Sequence, residues 1–277
     1  MTLFIKGERF NKMNNILIII RGGGDLATGV AVRLFRAGFS VIVLEIDHPT
    51  VIRLPVSFAR AVYEGKAIVE EVEAILIPSW EKVEDTIKQG KIPVLVDPKG
   101  SCIKKLSPTF LIDAILAKRN LGTTIGQAPL VIGLGPGFTA GEDVDVIIET
   151  MRGHNLGRVY YRGQAASDTG VPGEVGGESK RRLLRAPAEG KIVPLHSIGD
   201  IVKAGEVIAE VEGVPLKAEI SGVLRGLIYP QSWVTKGMKV GDIDPRGIRE
   251  YCFTVSDKAR SIGGAVLEAI CAYLNKK

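Results

Sequence analysis

Residues 16–31, ILIIIRGGGDLATGVA, constrain the fold more than any other stretch: an aliphatic run ends at three glycines and an amphipathic segment begins. Ile16 to Ile20 contains nothing polar, so it reads as a strand buried on both faces. Gly22, Gly24 and Ala27 fit the G-x-G-x-x-G/A spacing of a dinucleotide-binding turn. There the first glycine allows a tight turn, the second lets a pyrophosphate approach the backbone, and the third small residue packs the helix on the strand. Phosphate would sit on free N–H groups at a helix N-terminus, where the dipole favours negative charge. Leu26, Val30, Ala31, Leu34 and Phe35 then keep helical spacing up to Gly38. Ser40 to Ile46 reads as the next strand, with Glu45 where an acid about 20 residues beyond the glycines holds a ribose hydroxyl. Gly22, Gly23, Gly24, Asp25, Leu26, Ala27 and Glu45 are thus the expected contacts of a phosphate-bearing ligand. A glycine turn that serves packing alone is the plainer alternative.

The pattern continues as alternating strands and helical faces. Val72–Ile77 and Ile92–Val96 read as strands, and Val56–Tyr63 and Trp80–Ile87 as helical segments closed by Gly65 and Gly90. Phe110–Leu116 fits strand or helix, with strand preferred. This order predicts a Rossmann-like parallel sheet with right-handed crossovers over residues 14–120, preceded by an extension over 1–12. Gly22–Asp25, Glu45, Asp97–Cys102 and Lys118–Asn120 would share the carboxyl edge, where open α/β sheets bind ligands.

Leu130–Gly141 brings a second glycine cluster, Gly133, Gly135 and Gly137. Closely spaced glycines can form an anion nest, and the Gly135-Pro136-Gly137 loop is expected to close over the far end of the ligand. A glycine turn at a domain edge accounts for it equally. Val144, Val146 and Ile148 alternate as a strand does, and Glu142, Asp143, Asp145, Glu149 and His154 lack a diagnostic ligand spacing, so a solvated strand face is expected there and no metal site. Arg152, His154 and Arg158 offer cations to a phosphate, or simply a surface loop. Residues 121–185 read as a glycine-rich middle segment and linker, with Lys180, Arg181, Arg182 and Arg185 as a solvated run.

From residue 186 a repeat emerges at an offset of 32, pairing Ala186 with Ala218, Gly190 with Gly222, Val202 with Val234 and Gly205 with Gly237. The segment APAEGKIVPLHSIGDIVKAGEVIAEVEG resembles half of the biotinyl/lipoyl-carrier fold, a small β barrel-sandwich. Pro215 stands where that family carries its modified lysine, and Lys217 lies two positions late. The resemblance therefore implies an unmodified domain over 186–250, with neither biotin nor lipoate. Over 251–277, Ala259, Ile262, Val266, Leu267, Ile270 and Leu274 form a helical stripe with Thr254 or Ser256 as cap. Gly263 and Gly264 inside it each cost about 1 kcal/mol against alanine, so close packing is expected, by the first domain or by a second subunit in a homo-oligomer. Cys102, Cys252 and Cys271 read as free thiols of a reducing cytoplasm, with Cys271 in the core and Cys252 more exposed. At 45% hydrophobic and 24% charged residues the chain is of soluble globular type. No signal peptide is expected, and no apolar run approaches the ~20 residues of a membrane span, so a cytoplasmic protein is expected. A net charge of +5 without a Lys/Arg block gives no reason to expect nucleic acid.

The segments RGGGDLATGVAVRLFRAGF, DAILAKRNLGT, VIGLGPGFTAGEDVDVIIETMRGHNLGRV, TGVPGEVGG and GDIDPR together resemble the YqeB family. That resemblance spans residues 16 to 270. It implies an accessory role in maturing selenium-dependent molybdenum hydroxylases, with hydroxylase subunits as partners and no catalytic residue to carry over. The first part is also similar to the nucleotide-binding half of XdhC-type proteins, which insert molybdenum cofactor. A pyrophosphate cradle suits the dinucleotide form of molybdenum cofactor, NAD(P) or ATP. The competing readings are an NAD(P)-dependent oxidoreductase and a non-catalytic scaffold that docks a hydroxylase through its β domain.

Overall fold

The computed structural model describes residues 16–276; the expected extension and the absence of a leader concern residues outside them. The first strand, β1 (Leu17–Arg21), leads through the glycines to helix α1 (Asp25–Arg36) and to β2 (Ser40–Glu45). Short 3-10 turns at 54–56 and 58–60 run into α2 (Ala61–Glu64). There follow β3 (Lys66–Val69), β4 (Val72–Leu76), α3 (Val83–Lys88), β5 (Ile92–Val96), α4 (Ile103–Leu106) and β6 (Phe110–Asp113). Three more strands, β7 (Leu130–Leu134), β8 (Val146–Ile148) and β9 (Val159–Tyr160), complete a nine-stranded sheet of order β3-β4-β5-β2-β1-β6-β7-β8-β9. Strands β4 to β8 in that order are parallel, while β3 and β9 are antiparallel edges. Side chains of β1 alternate between faces, Ile18 and Ile20 joining one core and Ile19 the other, which is why its aliphatic run has no polar member.

The rest of the chain forms β10 (Leu183–Arg185), β11 (Gly190–Pro194), β12 (Ile201–Val202), β13 (Val207–Val211), β14 (Val214–Lys217), β15 (Gly222–Leu227), β16 (Trp233–Val234) and β17 (Lys239–Asp244). They make two four-stranded sheets, β10-β17-β15-β12 and β14-β13-β11-β16, whose neighbours are antiparallel. Strands β11, β12 and β13 recur 32 residues later as β15, β16 and β17. Each short strand pairs with the other copy, β12 on β15 and β16 on β11. Helix α5 (Asp257–Leu274) closes the chain, its N-cap Ser256 Oγ accepting from Ala259 N at 3.2 Å.

This topology corrects the expected architecture of a Rossmann-like parallel domain, a separate biotinyl/lipoyl-like barrel-sandwich and a C-terminal helix. The large sheet is mixed, and it takes β7, β8 and β9 from the stretch read as middle segment and linker, while β10 joins β17. The crossovers from β6 to β7 and from β7 to β8 carry no helix. Carboxylates pin these loops instead: Asp113 accepts from Ile115 N, Asp143 from Thr139 N, and Asp145 from Val131 N. Nor is α5 an appendage, since it packs along α1 and shares its core through Ile262, Val266 and Ile270. A Cβ on Gly29 of α1 would stand 2.6 Å from Ala259 Cβ, and one on Gly263 would stand 3.1 Å from Gly29 O. The β sheets are attached as well, Leu227 N donating to Ile52 O at 2.8 Å and Arg53 Nη2 to Tyr251 O at 2.8 Å. Among the described residues, no helix is long and apolar enough to cross a membrane.

Candidate functional site

The turn after β1 is held by the protein at its first two glycines. Gly22 N donates to Leu44 O at 2.7 Å and Gly23 N to Glu45 Oε1 at 2.7 Å. Gly22 has φ +94°, and a Cβ there would stand 2.9 Å from Ala114 O; one on Gly23 would stand 2.8 Å from Ala59 N. Protein backbone, and not a ligand, therefore demands these two glycines. Glu45 also accepts from Ile46 N through Oε2 at 2.8 Å, so both its oxygens brace the turn. Burial pushes its pKa up against those two N–H donors. The ribose contact expected of Glu45 thus gives way to a bracing one.

Gly24 is different. Its φ is −64° and an added Cβ would meet only Val51 Cγ1, at 3.5 Å. From here the N–H groups of Gly24, Asp25, Leu26 and Ala27 have no acceptor among the described residues, and Thr28 N is the first taken up, by Gly24 O at 2.8 Å. These are the orphan donors of a helix N-terminus. They open on a cleft of about 320 Å³ lined by Gly22, Gly24, Asp25, Leu26, Ala27 and Glu45, with Thr50, Val51, Asp97 and Ile115 on its other walls. Gly23 does not line it.

At the second glycine cluster the protein itself takes up the first amide of the loop. Gly135 N donates to Ile148 O at 2.9 Å, and a Cβ on Gly135 would stand 2.5 Å from Thr150 Oγ1. One on Gly137 would stand 2.7 Å from Arg119 N. Both glycines serve loop packing at positive φ, and of the Gly135-Pro136-Gly137 loop only Pro136 reaches a cavity.

That cavity, about 520 Å³, shares Asp25 and Leu26 with the glycine cleft and lies between the start of α1, the 166–175 loop and the β10–β17 sheet. Six cationic side chains line it, Arg53, Arg152, Arg182, Arg225, Lys239 and Lys258, against Asp25, Asp168 and Asp242. Arg182 pairs with Asp242, Arg53 reaches Asp25 at 3.5 Å, and Arg152 grips Asp257 through both amino groups at 2.7 and 3.0 Å. Arg225 has Asp244 at 3.7 Å, which Arg246 already holds at 2.6 Å. Nε of Arg53, Arg182 and Arg225 is buried without an acceptor among the described residues. Leaving such a donor unpaired costs about 1–3 kcal/mol. Removal from water holds Arg225, Lys239 and Lys258 below their ordinary pKa values.

Several expectations are corrected here. Arg182 is buried and ion-paired, where a solvated linker was expected. Cys252 is buried and Cys271 exposed, the reverse of the expected placement, because α5 turns Ile270 inward and Cys271 outward. Burial and the adjacent Asp97 push the Cys102 thiol up to about 12, so it is no nucleophile near neutrality. Glu149 accepts from Met151 N and Ala166 N. Among the described residues no group of three or more His, Cys, Asp or Glu is placed to hold a metal. Of the six cations of the cavity the sequence reading offered only Arg152 to a phosphate; for the others the one local signal is Arg225 inside β15, GVLRGL, where every position is buried.

No family model matches the chain. It is 50% identical over 260 residues to the uncharacterized protein YqeB of Escherichia coli (strain K12), a match covering 94% of this chain and 48% of that one. The chain therefore spans about half the length of this curated relative. Among solved structures it is similar to TcdA (CsdL), at 14% identity and TM-score 0.31 over 96% of this chain and 93% of that one. It is also similar to an aspartoacylase family protein from Mesorhizobium loti, at 11% identity and TM-score 0.27 over 82% and 84%. Likenesses of that size carry no argument about fold or chemistry. The identity with the Escherichia coli protein does carry weight, and over these 260 residues the chain is a homologue of YqeB.

Proposed function

We propose that the chain is an accessory protein in the maturation of a selenium-dependent molybdenum hydroxylase, holding molybdenum cofactor or a nucleotide by its phosphates at the start of α1. The observation that supports this is the set of four unpaired N–H groups, Gly24 to Ala27, opening on a cleft. Donors of this kind fit a diphosphate, whose charge the helix dipole favours. The role in maturation rests on the resemblance to the family and on the hydroxylase subunits it implies as partners. Among the described residues lining the cleft there is no His, Tyr or Lys to act as a proton donor, so nothing favours the NAD(P)-dependent oxidoreductase reading.

Calorimetric titration with NADH, ATP, CTP and the cytosine dinucleotide form of molybdenum cofactor tests the proposal. At least one should bind, and Gly24→Val should weaken it about tenfold or more, because the branched side chain enters the cleft at a φ that valine tolerates. Binding of none of them, by either protein, would leave only the scaffold reading, to be tested by capture of a hydroxylase subunit.

A further inference from the structure

We infer that the cationic cavity behind α1 is a second anion site, independent of the glycine cleft, and that it takes a compact polyanion of the di- or triphosphate kind. The inference rests on a buried cation that the protein leaves without a hydrogen bond. Arg225 is 7% exposed, lines the cavity, and makes no hydrogen bond among the described residues. Two carboxylates act on it, and both are shared with other arginines: Asp242 pairs with Arg182, and Asp244, 3.7 Å away, is gripped by Arg246. An arginine buried on these terms, with no hydrogen bond and only shared carboxylates, fits an external anion, to which its guanidinium can donate two parallel bonds.

The neighbouring charges set the class of ligand. Of the three carboxylates in the lining, Asp242 pairs with Arg182 through Oδ2 and leaves Oδ1 buried without a hydrogen-bond partner among the described residues, Asp25 is reached by Arg53, and Asp168 bonds Lys118 at 2.7 Å. Lys239 and Lys258 make no ion pair within 4 Å among the described residues, and both line the cavity with Arg225. Two lysines without an ion pair and an arginine whose carboxylates are shared, gathered in one cavity, match a ligand of more than one negative charge, which a single monovalent group does not supply. The volume of about 520 Å³ lies within the range of small-molecule sites and suits a phosphate chain, free or carried on a nucleotide.

The test titrates the full chain with tripolyphosphate at low salt. Saturable binding is expected, weakening as salt rises, and weakened about tenfold or more in the Lys239→Met/Lys258→Met double variant. Gly24→Val, which enters the other cleft, should leave unchanged the tripolyphosphate binding that the lysine variant weakens. Arg225→Met should abolish it; because that change risks the fold, the lysine variant carries the test without it. ATP binding tighter than tripolyphosphate that survives Gly24→Val would assign a nucleotide to this cavity. No binding at millimolar tripolyphosphate, binding indifferent to the lysine variant, or binding lost in Gly24→Val would overturn the inference. The last result would place the phosphates in the glycine cleft and leave the proposed function standing.

Discussion

Gly29 and Gly263 meet where α1 crosses α5, and their missing side chains set the approach of the two helices. Gly264, one residue on, has nothing within 4 Å of an added Cβ. Gly29→Ala should therefore lower stability by about 1–3 kcal/mol through overpacking, whereas Gly264→Ala should be neutral or stabilising by up to about 1 kcal/mol through helix propensity. Urea unfolding reads both, and equal effects would contradict this packing. The sequence marked both glycines of α5 as costly but could not say which one is used, since that depends on the face the partner covers. The thiols repeat the lesson: burial of Cys252 and exposure of Cys271 follow from the rotation of α5 and the packing of residue 252 under β15. At pH 8 a maleimide should label Cys271 alone in the native protein and all three cysteines in denaturant; native labelling of Cys102 would contradict its buried, high-pKa environment.

Helix α5 is anchored at its first turn by the Ser256 cap and by the Arg152–Asp257 pair. The Arg152 guanidinium holds the Asp257 carboxyl well below its ordinary value of 3.8. A carboxyl with a depressed folded pKa contributes stability above its unfolded pKa and loses it as pH falls through the folded one. Thermal midpoints followed downward from about pH 4 should thus fall more steeply for the native protein than for Asp257→Asn; parallel curves would show that the pair contributes nothing. Among the elements, β1, β2, β5 and β6 were legible because a strand buried on both faces must be written in aliphatic residues. The crossovers after β6 and β7 were not, because loops held by carboxylate-to-backbone bonds have no period to read. A glycine-rich stretch carrying three sheet strands therefore looked like a linker.

At the scale of the whole molecule, the junction of the large sheet, α1 and the β10–β17 sheet brings together two clefts that share Asp25 and Leu26. The half of this arrangement built on one local motif, Gly22 to Ala27, could be found in the sequence, although Glu45, Gly135 and Gly137 turned out to serve the protein's own packing. The other half could not, since Arg53, Arg182, Arg225, Lys239 and Lys258 lie up to two hundred residues apart and only the tertiary fold gathers them. Capture of a molybdenum hydroxylase subunit by the full chain would support the accessory role, but it does not test the chemistry beneath it. A crystal structure grown with a bound nucleotide or cofactor dinucleotide does so most directly. Phosphate oxygens within about 2.7–3.2 Å of the N–H groups of Leu26 and Ala27 are the expected result. Phosphates bound away from that turn, or a ligand that leaves those amides bare, would contradict the account.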